Sequence, residues 1–182
     1  MPFVFAGLVF LLTEDEPKTF NSSATVFTGI ATGSSIVSLE ESNLDLFGTR
    51  TAFDNLINII ESRSTIEEVS LRLFTSHMLM VAPDKEIIAK ESYQDLMKIV
   101  PFEVKQMVVP NNFVKTLEVF RNFKDSDHEN FIYQLINFDH RYYSVKKIRD
   151  NMRVSRIQTS DLVDIQFKSD DPGICQFTLK II

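Results

Sequence analysis

The stretch that most constrains this chain is LVDIQFKSDDPGICQFTLKII, residues 162–182. Val163, Ile165 and Phe167 alternate with Asp164, Gln166 and Lys168, the period-two pattern of a strand with one buried face and one wet face. The alternation stops at Ser169, Asp170, Asp171 and Pro172, after which Ile174, Phe177, Thr178 and Ile181 line one side of a helix. Ser169 or Asp170 can cap that helix, Asp171 favours its positive end, and Pro172 fits its first turn. These four residues read as a structural corner between strand and helix, not as an active site.

Upstream, MRVSRIQ turns extended from Met152, with Thr159 and Ser160 read as a kink or bulge before the stretch resumes. FNSSATVFTGI, residues 20–30, is also β-prone. Residues 31–48 read as a small-residue, acidic connector. Helical spacing dominates between these ends. Phe53, Leu56, Ile57 and Ile60 mark one helix, and Ser64 with Glu67 forms a capping-box pattern for the next. Ser92 and Asp95 could cap YQDLMKIV, Asn111 or Asn112 could open FVKTLEVFRNF, and Ser126 with Glu129 could open NFIYQLINF. A short helix is expected over Val145–Asn151. The layout is α+β, a few distant strands with helices packed on one face.

At 182 residues the chain suits one domain, and 44% apolar with 24% charged residues is the composition of a folded protein. A formal charge of −6 argues against nucleic acid as a partner. Cys175 stands alone, so no intrachain disulfide forms, and its apolar neighbours predict a buried thiol.

PFVFAGLVFLL, residues 2–12, precedes the acidic run Glu14, Asp15, Glu16. As a helix it would rise about 16 Å, roughly half of a bilayer core, and it lacks the basic flank of a signal peptide. Two readings stay open: a buried segment of a soluble domain, or the end of a transmembrane helix that begins upstream. The closing helix also stops without a C-cap or polar tail, which suggests a continuation downstream.

Chemistry-bearing motifs are sparse. His77, His128 and His140 show no metal-binding spacing, and Cys175 has no partner cysteine, so neither a metal nor a cofactor is expected. Asp161 with Asp164, and Asp170 with Asp171, are explained by solubility and capping, so no catalytic residue is assigned. Gly29 and Gly33 lack the lysine and spacing of a phosphate-binding loop. The one basic concentration is Lys146, Lys147, Arg149, Arg153 and Arg156, just after Arg141, Tyr142 and Tyr143. In an acidic chain it could dock a glycan, a lipid headgroup or a neighbouring protomer, or simply be a solvated helix face leading into an edge strand.

Residues 151–182, NMRVSRIQTSDLVDIQFKSDDPGICQFTLKII, resemble the second half of the Wzz-type polysaccharide chain-length determinant domain. DEPKTFNSSATVFTGIATGSSI, residues 15–36, looks like that family's exit from its first transmembrane helix, in the form found in the Bacteroides group. The stretch between carries little of the likeness. The resemblance implies a ferredoxin-like α+β periplasmic domain over residues 14–182, an antiparallel sheet with helices packed on one face, preceded over residues 1–13 by part of a transmembrane helix, with a long helix and second span to follow. It implies a non-enzymatic, homo-oligomeric co-polymerase of the bacterial inner membrane that regulates the length of lipopolysaccharide, capsule or exopolysaccharide. Its partners would be a polysaccharide polymerase and export machinery, the polysaccharide itself, and in some relatives a tyrosine kinase domain or partner. No Walker motif is present, so kinase activity is not expected of this chain. The competing reading is a soluble binding or adaptor domain with a buried N-terminal apolar segment.

Overall fold

The computed structural model describes residues 18–30 and 46–182. In chain order these form β1 (Phe20–Phe27), α1 (Leu46–Ile60), α2 (Arg63–Leu79), α3 (Lys90–Ile99), α4 (Phe102–Gln106), α5 (Phe113–Ser126), α6 (Phe131–Asn137), α7 (Val145–Asn151), β2 (Met152–Arg156), β3 (Leu162–Ser169) and α8 (Pro172–Ile181).

The three strands form one antiparallel sheet in the order β1-β3-β2. Ala24 lies opposite Ile165, which in turn faces Val154, so the inward row is apolar across all three strands. One residue along, Ser23, Gln166 and Arg153 make a polar row on the other face. The helix α8 packs on the inward face against β1 and β3, and α2 crosses behind it. Thr159 and Ser160 do not kink a continuous strand. They sit in the turn of a β2–β3 hairpin, where Gln158 takes a positive φ of 50° and Ser160 Oγ donates to Ile157 O at 2.6 Å.

Capping decides where the helices start, and it differs in detail from the expected pattern. Ser62, not Ser64, caps α2 by accepting from Thr65 N. Asn112 caps α5, Asn130 rather than Ser126 caps α6, and Ser144 caps α7. The helix α3 has no side-chain cap, and Ser92 lies inside it. At the corner the cap is Asp171, which accepts from Gly173 N and Ile174 N, with Pro172 in the first turn. Ser169 Oγ accepts from Asp171 N at 3.2 Å, and Asp170 forms an ion pair with Arg141.

The main core gathers Leu73, Phe74, Phe120, Ile132, Tyr143, Ile148, Phe167 and Ile174, with Phe74 at 5.3 Å from Phe120 and edge-on to Tyr143 at 5.6 Å. A smaller cluster of Phe53, Val154, Val163 and Ile165 lies between α1 and the sheet. Cys175 is fully buried, its Sγ donating toward Phe167 O at 3.1 Å. On the surface of α2 and α5, Arg121 grips both carboxylate oxygens of Glu68 at 2.8 and 2.7 Å while Arg72 reaches it from one turn away at 2.6 Å. Burial pushes the Glu68 pKa up, but these two guanidiniums outweigh it and hold the carboxyl below its usual range.

Several expectations are corrected here. The described residues form an α+β fold, a small three-stranded antiparallel sheet with packed helices, and it is the transmembrane segment expected with it that is corrected. Among the described residues no helix is long and apolar enough to cross a membrane. The longest, α2, has 17 residues and carries Arg63, Glu67, Glu68 and Arg72. The expected membrane-anchored co-polymerase, with its transmembrane, inner-membrane and periplasmic placement, therefore finds no anchor among the described residues, and nothing in the structure supports it. The apolar segment 2–12, the acidic run after it, Gly33 and most of the expected connector lie outside the described residues.

Candidate functional site

Two elements of the expected site meet in one place. The loop after α6 carries Asp139, Arg141 and Tyr142. The helix α7 carries Lys147 and Asn151, and the end of β3 carries Lys168, Ser169 and Asp170. With Thr19 these residues line an open cleft of about 450 Å³. The basic segment and the strand-to-helix corner are thus two walls of the same hollow.

Local structure explains the convergence. Val145 and Ile148 are buried, so α7 turns Lys146 and Arg149 to solvent and leaves Lys147 half-buried beside the loop. Lys168 follows Phe167 on β3 and so falls on the opposite, wet face of the sheet. Asp171 and Pro172 bend the chain just beyond, which leaves Asp170 at the rim.

The charges in the cleft are unequal. Both carboxylates are already engaged: Asp170 pairs with Arg141, and Asp139 lies 3.8 Å from Lys147 Nζ. The side chains of Lys168, and of Arg149 and Arg153 nearby on α7 and β2, make no hydrogen bond or ion pair with any described residue. Arg153 stands opposite Gln166, one row from Lys168 on the same open face. The rim therefore keeps an excess of positive charge on a chain whose formal charge is −6.

The five basic residues expected to act together divide by role. Lys147 enters the cleft, and Arg149 and Arg153 flank it in solvent. Lys146 lies 4.0 Å from Asp150, one helical turn on. Arg156 turns to the inward side of the sheet, where it stacks 3.8 Å over the Phe53 ring and donates to Ser160 O and Thr159 O at 2.8 and 2.9 Å. It holds the hairpin turn, and it is not part of the cleft. Lys168 was absent from the expected set, although the alternation of β3 already placed it on the wet face with Asp164 and Gln166.

Beside the cleft lies a smaller and more enclosed hollow of about 200 Å³, lined by Ser92, Asp95, Leu96 and Ile99 of α3 and by His140, Arg141, Tyr142 and Tyr143. Arg141 and Tyr142 belong to both hollows, and the guanidinium lies 5.0 Å from the Tyr142 ring centre. His140 Nδ1 accepts from the backbone N–H groups of Tyr142 and Tyr143 at 3.1 and 3.3 Å, which places the ring proton on Nε2. Burial, with the Arg141 charge adding to it, lowers the His140 pKa to about 4, so the ring is neutral at pH 7.

His77 is the other displaced titratable group. Its Nδ1 lies 2.6 Å from Tyr143 Oη deep in the core, and its Nε2 has no hydrogen-bond partner among the described residues. Burial lowers its pKa to about 4 against weaker opposing effects from the Ile87 backbone and the Asp171 charge. It lines neither hollow, and it belongs to the core. Among the described residues no three His, Cys, Asp or Glu side chains gather as a metal ion would require. Comparison with family models, curated proteins and solved structures returns no match for the chain.

Proposed function

We propose that this chain is a non-catalytic binding or adaptor domain whose basic cleft docks an acidic segment of a partner protein. The observation that carries the reading is the position of Lys168, a cation whose side chain has no partner among the described residues, in the same cleft as Lys147 and Arg141, both of which face carboxylates that are already paired. Cations held on the rigid end of a sheet and the first turns of a short helix form a surface of fixed charge, which steers an anionic partner and sets its register. The cleft is open and polar, which suits an extended segment better than an enclosed small molecule.

The test is fluorescence anisotropy with a labelled glutamate-rich decapeptide at two ionic strengths. Binding is expected to weaken with salt, and the double charge reversal Lys147→Glu, Lys168→Glu should lower affinity at least about tenfold. Binding unaffected by the reversal would remove the cleft from consideration.

A further inference from the structure

The cleft and the smaller hollow share Arg141 and Tyr142 as lining residues, yet their walls differ in chemistry. The cleft is lined by Lys147, Lys168 and paired carboxylates, whereas the floor of the hollow is Leu96, Ile99 and the two tyrosine rings. Leu96 is buried and Ile99 is half exposed, so the apolar wall runs from the core out to the mouth. At about 200 Å³ the hollow falls below the roughly 300–1,000 Å³ of sites that enclose a whole drug-sized ligand. Its size suits one side chain.

The polar groups at its mouth suit the backbone of an extended segment. His140 offers Nε2–H as a donor with no described partner, and its neutrality at pH 7 adds no charge to the apolar floor. Ser92 Oγ and Tyr142 Oη lie 3.2 Å apart, so one of the two hydroxyl protons is used between them and the other is free for an incoming carbonyl. The one carboxylate at the mouth, Asp95, is held 2.8 Å from Lys98 Nζ, which offsets its repulsion of an acidic segment.

Building on the acidic-segment reading, we propose that the segment carries one apolar anchor, of leucine or phenylalanine size, seated between α3 and the 140–143 loop while neighbouring carboxylates occupy the cleft. The anchor supplies affinity that is insensitive to salt, and the acidic residues supply register.

Three labelled decapeptides test this on the full chain: an all-glutamate sequence, the same with one central alanine, and the same with one central leucine. The leucine peptide is expected to bind about tenfold more tightly than the alanine peptide, an advantage that persists at high salt. Ser92→Phe, which fills the hollow, and Ile99→Ser, which removes its outer apolar wall, should each bring that ratio close to one, with folding verified by circular dichroism. Equal affinities of the leucine and alanine peptides for the wild-type chain would overturn the anchor while leaving the cleft standing. A leucine advantage that survives both variants would place the anchor elsewhere and also overturn it. Failure of all three peptides to bind would overturn the cleft reading, and the anchor with it.

Discussion

The Asp171 carboxylate bonds the chain to itself across 82 residues: Oδ2 accepts from Ala89 N at 3.0 Å while Oδ1 accepts from Gly173 N and Ile174 N at 2.9 and 3.1 Å. One buried side chain thus starts α8 and also satisfies a backbone donor at the beginning of α3, a helix that has no cap of its own. Because α3 walls the smaller hollow and the corner walls the cleft, this carboxylate fixes both hollows relative to one another.

Replacing Asp171 with alanine removes all three bonds and leaves buried N–H groups unsatisfied. A loss of about 3 kcal/mol in chemical denaturation is expected, larger than the roughly 1 kcal/mol of an ordinary exposed cap. Asp171→Asn keeps the two cap bonds but can turn an amide N–H toward Ala89, so its loss should be intermediate. A loss under 1 kcal/mol for the alanine variant would show that the corner is not under this constraint.

Gly173 provides the second half of the same junction. A Cβ there would lie 2.7 Å from Ile88 N and 2.8 Å from Lys85 O, backbone atoms that cannot rotate away. Alanine is the better helix former by about 1 kcal/mol, but the overlap costs about 1–3 kcal/mol or more, so Gly173→Ala should destabilise. A rise in melting temperature would mean that the 85–88 segment yields freely.

The buried His77 makes stability depend on pH. Its folded pKa of about 4 lies below the unfolded value of 6.5, so the folded state disfavours the proton. The stability held by the neutral ring is complete above pH 6.5 and is lost as pH falls toward 4, by up to about 3 kcal/mol. Urea midpoints measured across that window should fall, and His77→Gln, which retains an acceptor for Tyr143, should flatten the decline. His140, lowered to about 4 by burial and Arg141, contributes in the same direction, so His140→Gln serves as the companion variant. A midpoint constant from pH 7 to pH 4.5 would contradict the buried neutral ring.

Arg153 and Arg156 occupy one strand three residues apart, but they should respond differently. Arg156→Ala removes a stacked guanidinium and two bonds to the hairpin turn, an expected cost of about 1–2 kcal/mol. Arg153→Ala touches no internal partner, so stability should change by less than about 0.5 kcal/mol while affinity for an acidic peptide drops. Reversed effects in denaturation and binding would place the two side chains on the wrong faces.

Periodicity carried much of the fold. The alternation of Val163, Ile165 and Phe167 marked the buried face of β3, and the helix Val145–Asn151 ends where its sequence suggested, because its own serine cap and apolar spacing define it. The helix starts chosen from capping patterns were less secure. Ser62, Ser64, Ser92, Ser126 and Asn130 all carry cap-competent side chains, and backbone geometry selects among them. The hairpin at Thr159 and Ser160 is indistinguishable along the sequence from a kink or bulge, because a strand interrupted by polar residues has the same local pattern as two strands joined by a turn.

By itself the sequence determined the strand-to-helix corner, the buried face of β3, the burial of Cys175 and the presence of one basic segment in an acidic chain, since each follows from neighbours within a few residues. Tertiary structure decided which cations share a hollow. Lys147 and Lys168 lie on different elements, and Arg156 is removed from their company by the pleat of its own strand. The same packing brings α3, the loop around His140 and the end of β3 to one edge of the molecule. Such a grouping depends on how long-range faces bury against one another, and no spacing along the chain encodes it locally.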